Sequence, residues 1–321
     1  MNAIRFVSRI LESSPYVEVL IRQIYWKTPW LISLANRKKI NTTQPVSFTT
    51  PQTLEKIEEF LQNHGVVPGS LLVVHSSFNV FKSAYSPAQI IDRLLAMIGE
   101  SGTLAMPAFP LCKGEPKGIN RMTADVSDIE LVYDVKRTLP WTGMLPLHLM
   151  RKPGSIRSRH PLNSMVAFGP LAQAMMADNL TGSKPLPCGV NSTWKFCADH
   201  KAVIVALGVD MAHSLTMIHV AEDAYEDEWP VKEWYRERKY LVIDGEWQEN
   251  VVVRERHPKW AMHYAERTLS KDLKRSGLMH GTIIDGIPVE VIDAASLLEF
   301  LNQLKSSAYP YFMIPMRNFK K

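Results

Sequence analysis

Apolar and polar positions change period several times along this chain of 321 residues, and each change marks an element. From Gln52 the stretch TLEKIEEFLQNHG repeats apolar residues at intervals of three and four, which predicts a helix with Gly65 as its stop signal. LLVVHSSF is a continuous apolar run entering a polar turn, as a buried strand does. SPAQIIDRLLAMIG predicts a helix with Ser86 at its cap and Pro87 at its first position, and GTLAMPAF is the next strand. This strand–helix–strand order argues for parallel strands joined by crossover helices. Residues from Leu111 to Arg137 are polar, irregular and longer than most connections, the character of a lid or binding loop. LPLHLMRKPG, SMVAFG and GPLAQAMMADN then read as helix, strand and helix. VIVALGVD is the clearest buried strand in the chain, and TMIHVAEDAYEDE is read as the helix after it. KYLVIDGEWQENVVVRER alternates like a hairpin around Asp244-Gly245; the remainder alternates helix and short strand, without internal repeats.

Residues 1–48 stand apart from this body, which occupies 49–321. IRFVSRIL and YVEVLIRQIYW carry helical spacing, and WKTPWLISLANRKK sets aromatic residues beside a basic run. A helical arm packed on the body or on a second subunit accounts for them. A helix lying on an anionic membrane surface is the alternative.

Composition narrows the class. The apolar share of 46% and charged share of 21% are those of a globular protein. Cys112, Cys188 and Cys197 are too few for a disulfide framework and too far apart for a zinc site. Arg5, Arg9 and Glu12 interrupt the first residues where a secretory signal needs an apolar stretch, and no run approaches the roughly 18 apolar residues of a membrane span. The expectation is a soluble, cytoplasmic protein. A net charge of +5 fits an anionic ligand such as a nucleotide or coenzyme A. Scattered basic residues give nucleic-acid binding little support.

In open parallel sheets ligands gather beyond the carboxyl ends of strands. HSSFN after LLVV, PAF after GTLAM, the RSRHP turn and His219 beyond VIVALGVD all fall there. His219 and Glu222 are three apart, close enough on a helix for the carboxylate to fix the imidazole tautomer and raise its basicity, as a general base requires. The same spacing recurs at His263 and Glu266 with no strand end to place it. A metal reading would use His213, His219 and Glu222, with Asp223, but lacks an HExxH or a third histidine at a helical offset. His75-Ser76-Ser77 offers a nucleophile beside a base without a G-x-S-x-G elbow, and a polar turn more often donates hydrogen bonds to a ligand. There is no P-loop and no strand-linked G-x-G-x-x-G. The acids after Glu222 (Asp223, Glu226, Asp227, Glu228) read as the wet side of a helix, or as an attraction for a cationic amine.

The order of LLVVHSSF, ESGTLAMPAF, IRSRHPLNSMVAFG, GVNSTWKF and VIVALGVDMAHSLTMIHVAE resembles the aminoglycoside 3-N-acetyltransferase family over about residues 52–305. The resemblance implies an α/β fold built as a three-layer α/β/α sandwich with a largely parallel central sheet. It also implies acetyl-CoA as co-substrate, a primary amine on a sugar-like acceptor, and no metal or covalent acyl-enzyme. His219 matches the family's proposed base and Glu222 the glutamate beside it. His75, Ser76, Ser77, Thr103 and Ser158 match loops that help hold coenzyme A. Thr216 lies near the acyl centre, beside Ser214, and joins Asp223 and Glu226 as the expected contacts to the acceptor. The chain departs from the family in NVFKSAYSP, where a Gly-rich turn usually follows the HSS loop, and in its N-terminal arm. These departures and the net charge favour a biosynthetic relative acetylating an amino sugar, for instance a nucleotide-linked one as in surface-polysaccharide assembly, over a drug-resistance enzyme, with an aminoglycoside acceptor left as an alternative. An inactive assembly or membrane-docking module and a metal-dependent hydrolase using His213 and His219 are the alternatives. A homo-oligomer is compatible with all of these.

Overall fold

The computed structural model describes residues 14–28, 49–114, 125–309 and 311–320. In chain order these form α1 (Pro15–Lys27), α2 (Thr53–Gln62), β1 (Leu71–Ser76), α3 (Pro87–Ile98), β2 (Thr103–Pro107), β3 (Glu130–Asp134), α4 (Met144–Met150), β4 (Ile156–Arg157), β5 (Met165–Phe168) and α5 (Ala172–Met176). There follow α6 (Thr193–Asp199), β6 (Val203–Leu207), α7 (Met211–Ser214), α8 (Val220–Asp223), β7 (Tyr235–Asp244), β8 (Trp247–Arg256), α9 (Glu266–Arg275), β9 (Met279–Ile284), β10 (Ile287–Asp293) and α10 (Ala294–Leu304). The helix expected in IRFVSRIL, the WKTPWLISLANRKK segment beyond Thr28 and the boundary at residue 48 lie outside the described residues. No helix among the described residues is long and apolar enough to cross a membrane.

Seven strands make the main sheet in the order β4-β5-β2-β1-β6-β10-β9. β1 pairs in parallel with β2 and with β6, so the crossover through α3 is the one the sequence predicts. The helix has the start its sequence asks for: the Ser86 side chain accepts from Gln89 N, the Gln89 side chain answers the Ser86 amide, and Pro87 opens the first turn. Outside this centre the strands turn back, since β5 is antiparallel to β2 and β4, and β10 to β6 and β9. The sheet is therefore mixed: β4, β2, β1, β6 and β9 run one way, and β5 and β10 against them.

Both faces of the sheet are buried, which explains why the central strands read as continuous apolar runs. Leu72, Val74, Leu104, Met106, Val205 and Leu207 join the apolar faces of α2, α3 and α4 on one side. Leu71, Val73, Ala105, Ile204 and Ala206 join α5, α6, α9 and α10 on the other. A smaller sheet, β3-β7-β8, has its own core of Leu131, Tyr133, Tyr240, Val242 and Val253. Its hairpin turns where expected, with Asp244 paired to Trp247 and Gly245 at φ +68° in the first central position. β3 lies inside the segment read as an irregular loop, whose residues 115–124 are outside the described set.

Helix α1 packs on the segment Pro258–His263 and on α9. Its Glu18 carboxylate is buried and accepts from Arg267 N at 2.9 Å, Thr268 N at 3.0 Å and the Thr268 hydroxyl at 3.0 Å. It thus satisfies amides in the first turn of α9 that have no partner within that helix.

Candidate active site

β6 ends at Leu207, and Gly208 turns the chain at φ +72°. A Cβ at that position would meet the Val80 side chain at 2.5 Å and the Ser77 carbonyl at 3.2 Å, so the loop after β1 leans on the end of β6. Asp210 then caps α7 by accepting from His213 N at 3.0 Å. The chain runs through a 3₁₀ turn, Thr216–His219, into α8. The single helix expected over TMIHVAEDAYEDE is therefore not formed: a 3₁₀ turn and one short α segment are followed by turns at 224–228. The acids at 222 and 223 point inward to buried donors, and Pro230 biases Trp229 away from helical backbone.

His219 Nδ1 lies 3.0 Å from Glu222 Oε1, and the indole N–H of Trp234 donates to Glu222 Oε2 at 3.1 Å. Arg256 Nη1 lies 3.9 Å from Glu222 Oε1 and has no hydrogen-bond partner among the described residues. Behind them, the buried Asp223 accepts from Tyr235 Oη and from Cys188 N, each at 3.1 Å. Trp234, Tyr235 and Arg256 come from the open end of the β7–β8 hairpin, where Tyr235 pairs with Arg256. Sequence reasoning missed all three. The only signal was the aromatic cluster EWPVKEWY directly after the acids.

Two neighbouring carboxyls are driven apart by these surroundings. Burial opposes charge on Glu222, but His219, Arg256 and Trp234 outweigh it and hold its carboxyl below the usual range. Asp223 has weaker help, and burial together with the charge of Glu222 pushes it up to about 8. Burial and the Arg256 guanidinium lower His219 further than Glu222 raises it, so the imidazole is neutral at pH 7. Because an ionised carboxylate only accepts, the Nδ1 facing Glu222 carries the proton, and the lone pair lies on Nε2. One fifth of the His219 side chain is exposed.

It opens into a cavity of about 160 Å³ lined also by His213, Ser214, Thr216, Arg256, Tyr264 and Glu266. A neighbouring cavity of about 250 Å³ is lined by His75, Ser76, Pro107, Phe109, Trp141 and Val209, and shares His213, Ser214 and Thr216 with the first. The ends of β1, β2 and β6 thus meet at one place, and His75, Ser76, Thr216 and His219 are brought together. His75 is buried beside Trp194, its Nε2 has no hydrogen-bond partner among the described residues, and burial lowers it to about 4.

Other expected site residues sit elsewhere. Ser77 precedes the short turn after β1, its N–H bonded to Leu207 O, and lines neither cavity. Thr103 is buried and accepts from Leu171 N at 3.0 Å. Ser158 is buried and donates to Asn179 Oδ1 at 2.6 Å, while the adjacent Arg157 ties down the carbonyls of Ala108, Val135 and Thr138. Asp223 and Glu226 line a different cavity, of about 400 Å³, in which Arg254 takes both oxygens of Glu226 at 2.6 and 3.0 Å. The second His–Glu spacing is not a pair here: His263 Nδ1 bonds Met313 O at 2.8 Å, and Glu266 turns to His213 and Arg22, each at 2.5 Å. Among the described residues no group of three histidine, cysteine or acidic side chains converges as a metal site.

The model of the aminoglycoside 3-N-acetyltransferase family matches residues 73–305. Aminoglycoside N(3)-acetyltransferase VIII of Streptomyces fradiae is 25% identical over 272 residues, 78% of this chain and 90% of that one. Aminoglycoside N(3)-acetyltransferase III of Serratia marcescens is 30% identical over 175 residues, 53% of this chain but only 64% of that enzyme's length. Among solved structures, AAC-IIIb in a binary complex with CoASH superposes with a TM-score of 0.65 over 81% of this chain and 97% of the other, at 19% identity, a likeness of fold.

Proposed function

The chain belongs to the aminoglycoside 3-N-acetyltransferase family, and on that premise we propose that it moves an acetyl group from acetyl-CoA to a primary amine on an amino sugar, with His219 as general base and Glu222 orienting it. The observation that carries this reading is the His219–Glu222–Trp234 array, with its carboxylate and indole buried, opening into a cavity that shares lining residues with the one at Ser76. In this reading residues 49–321 are the transferase domain, a three-layer α/β/α sandwich, and 1–48 an arm upon it. The relative solved with CoASH supports coenzyme A as the donor's carrier.

Acetyl-CoA enters along Ser76, Pro107 and Phe109 with its thioester at the wall formed by Ser214 and Thr216. The acceptor amine lies against His219. A protonated alkylamine cannot attack, so the reactive species is the free amine, whose N–H proton passes to His219 Nε2 as nitrogen bonds the carbonyl carbon. The tetrahedral oxyanion collapses, the C–S bond breaks, and the imidazolium returns its proton to the departing thiolate. Glu222 stabilises the imidazolium by accepting from Nδ1 throughout. Burial, reinforced by Arg256 in the same cavity, favours neutral His219 before each turnover.

The test is His219→Ala assayed by thiol release from acetyl-CoA across a panel of amino sugars, beside calorimetric titration of acetyl-CoA. Loss of transfer with retained acetyl-CoA binding is the expected result. Undiminished turnover would remove His219 as the base.

A further inference from the structure

Beside the His219 pocket lies a cavity of about 480 Å³ that shares Ala212 and Ser270 with it. It shares no lining residue with the cavity at Ser76. One wall is α9, whose Arg267, Lys271 and Lys274 fall at intervals of four and three and so line one face, with Arg275 beside them. Two carboxylates complete the lining, Asp210 and Glu290. Both are engaged. Asp210 caps α7, and Glu290 accepts from Met211 N at 2.6 Å and pairs with Lys274. Arg267 Nη2 lies 2.9 Å from His213 Nε2, which links this basic wall to the catalytic pocket.

We propose that this cavity is an anion subsite holding a phosphate or pyrophosphate group of the acceptor. The inference rests on the acetyltransferase reading. If the donor occupies the Ser76 side and the amine meets His219, the rest of the acceptor extends toward α9. Four cations against two carboxylates, with Lys274 and Glu290 paired to each other, leave a net positive lining that suits a phosphate there and disfavours a polycation. The acceptor class is thus a phosphorylated or nucleotide-linked amino sugar rather than a free aminoglycoside. Coenzyme A also carries phosphates, so the test must separate the two sources.

Inorganic pyrophosphate is titrated into the full-length protein at saturating acetyl-CoA, and acetyl-CoA is titrated alone, in wild type and in the Lys271→Gln/Arg275→Gln variant. Pyrophosphate binding should weaken about tenfold or more for each charge-assisted hydrogen bond removed. Acetyl-CoA affinity should stay within about twofold. Absent or unchanged pyrophosphate binding overturns the proposal. A parallel fall in acetyl-CoA affinity overturns it too, because the phosphates would then be the coenzyme's. Should the variant fail to fold, wild-type pyrophosphate binding measured from low to high NaCl serves instead, and affinity indifferent to salt is equally fatal. Failure of the acetyltransferase reading looks different: wild-type protein that binds no acetyl-CoA at all.

Discussion

Glu222→Gln keeps the size and shape of a fully buried side chain, so its effect on rate isolates charge and proton placement. Two donors converge on the carboxylate, His219 Nδ1 at 3.0 Å and Trp234 Nε1 at 3.1 Å. A carboxamide satisfies only one of them with its oxygen. If that oxygen faces His219, the NH₂ group opposes the buried Trp234 N–H, at a cost of about 1–3 kcal/mol. If it faces Trp234, the NH₂ group donates to Nδ1 and moves the imidazole proton to Nε2, the nitrogen that accepts from the amine in the proposed mechanism. Either way the productive tautomer is depleted. In addition, the imidazolium of the transition state loses a charge-assisted bond, worth about 1.5–3 kcal/mol. Together these lower kcat by about 10²–10⁴-fold. The assay is thiol release from saturating acetyl-CoA with the best acceptor amine found. Trp234→Phe in the Glu222→Gln background frees the amide oxygen to face His219 and should recover part of the activity, with circular dichroism confirming the fold. A single variant within about threefold of wild type, or a double variant no faster than the single, would refute this account of Glu222.

Three further outcomes follow from the same geometry. Arg256→Met removes a charge that lowers His219, so the acidic limb of the kcat/KM–pH profile, where the base becomes protonated, should move to higher pH; an unmoved limb would dissociate Arg256 from His219. Asp223 sits at about 8 in the native state against about 3.9 unfolded, so the native chain holds a proton that the unfolded chain releases. Stability attributable to this group is present below about pH 4 and is lost as pH rises toward 8. Asp223→Asn, whose amide can donate to Tyr235 while its oxygen accepts from Cys188, should therefore gain on wild type in denaturant midpoint from pH 5 to pH 8; a constant difference would argue against a protonated Asp223. Glu18→Ala strips the amide partners from the start of α9 and should cost about 1–3 kcal/mol in urea unfolding, whereas an unchanged midpoint would mean that water replaces the carboxylate.

Much of the fold was readable because its signals are local. The Ser86-Pro87 start, the Asp244-Gly245 turn and the apolar runs of β1, β2 and β6 each depend on a few adjacent residues. The reversed β5 was not readable, because SMVAFG is equally apolar in either direction and its pairing with β2 is decided by tertiary contact. His219 and Glu222 could be found from spacing, yet the identical spacing at His263 and Glu266 could not be dismissed without knowing that Glu266 turns to His213. Trp234 and Arg256 were invisible as site residues, since a hairpin base brings them to Glu222 from positions 12 and 34 residues later. The acids that looked like a solvated helix face divide in space: Asp223 is buried, while Glu226 pairs with Arg254. Charge counted along the chain said nothing of that division.

The contact between Glu18 and the first turn of α9 joins residues about 250 positions apart. During synthesis at roughly 5–20 residues per second, α1 emerges about 10–50 s before the helix whose amides it will hold. The wall carrying Glu266, to which Arg22 also binds, is therefore among the last parts of the candidate pocket to be synthesised. A ribosome-bound chain stalled between residues 207 and 266 carries β1 and β6 but no such wall, so on the proposed reading competence for transfer arises only late in translation.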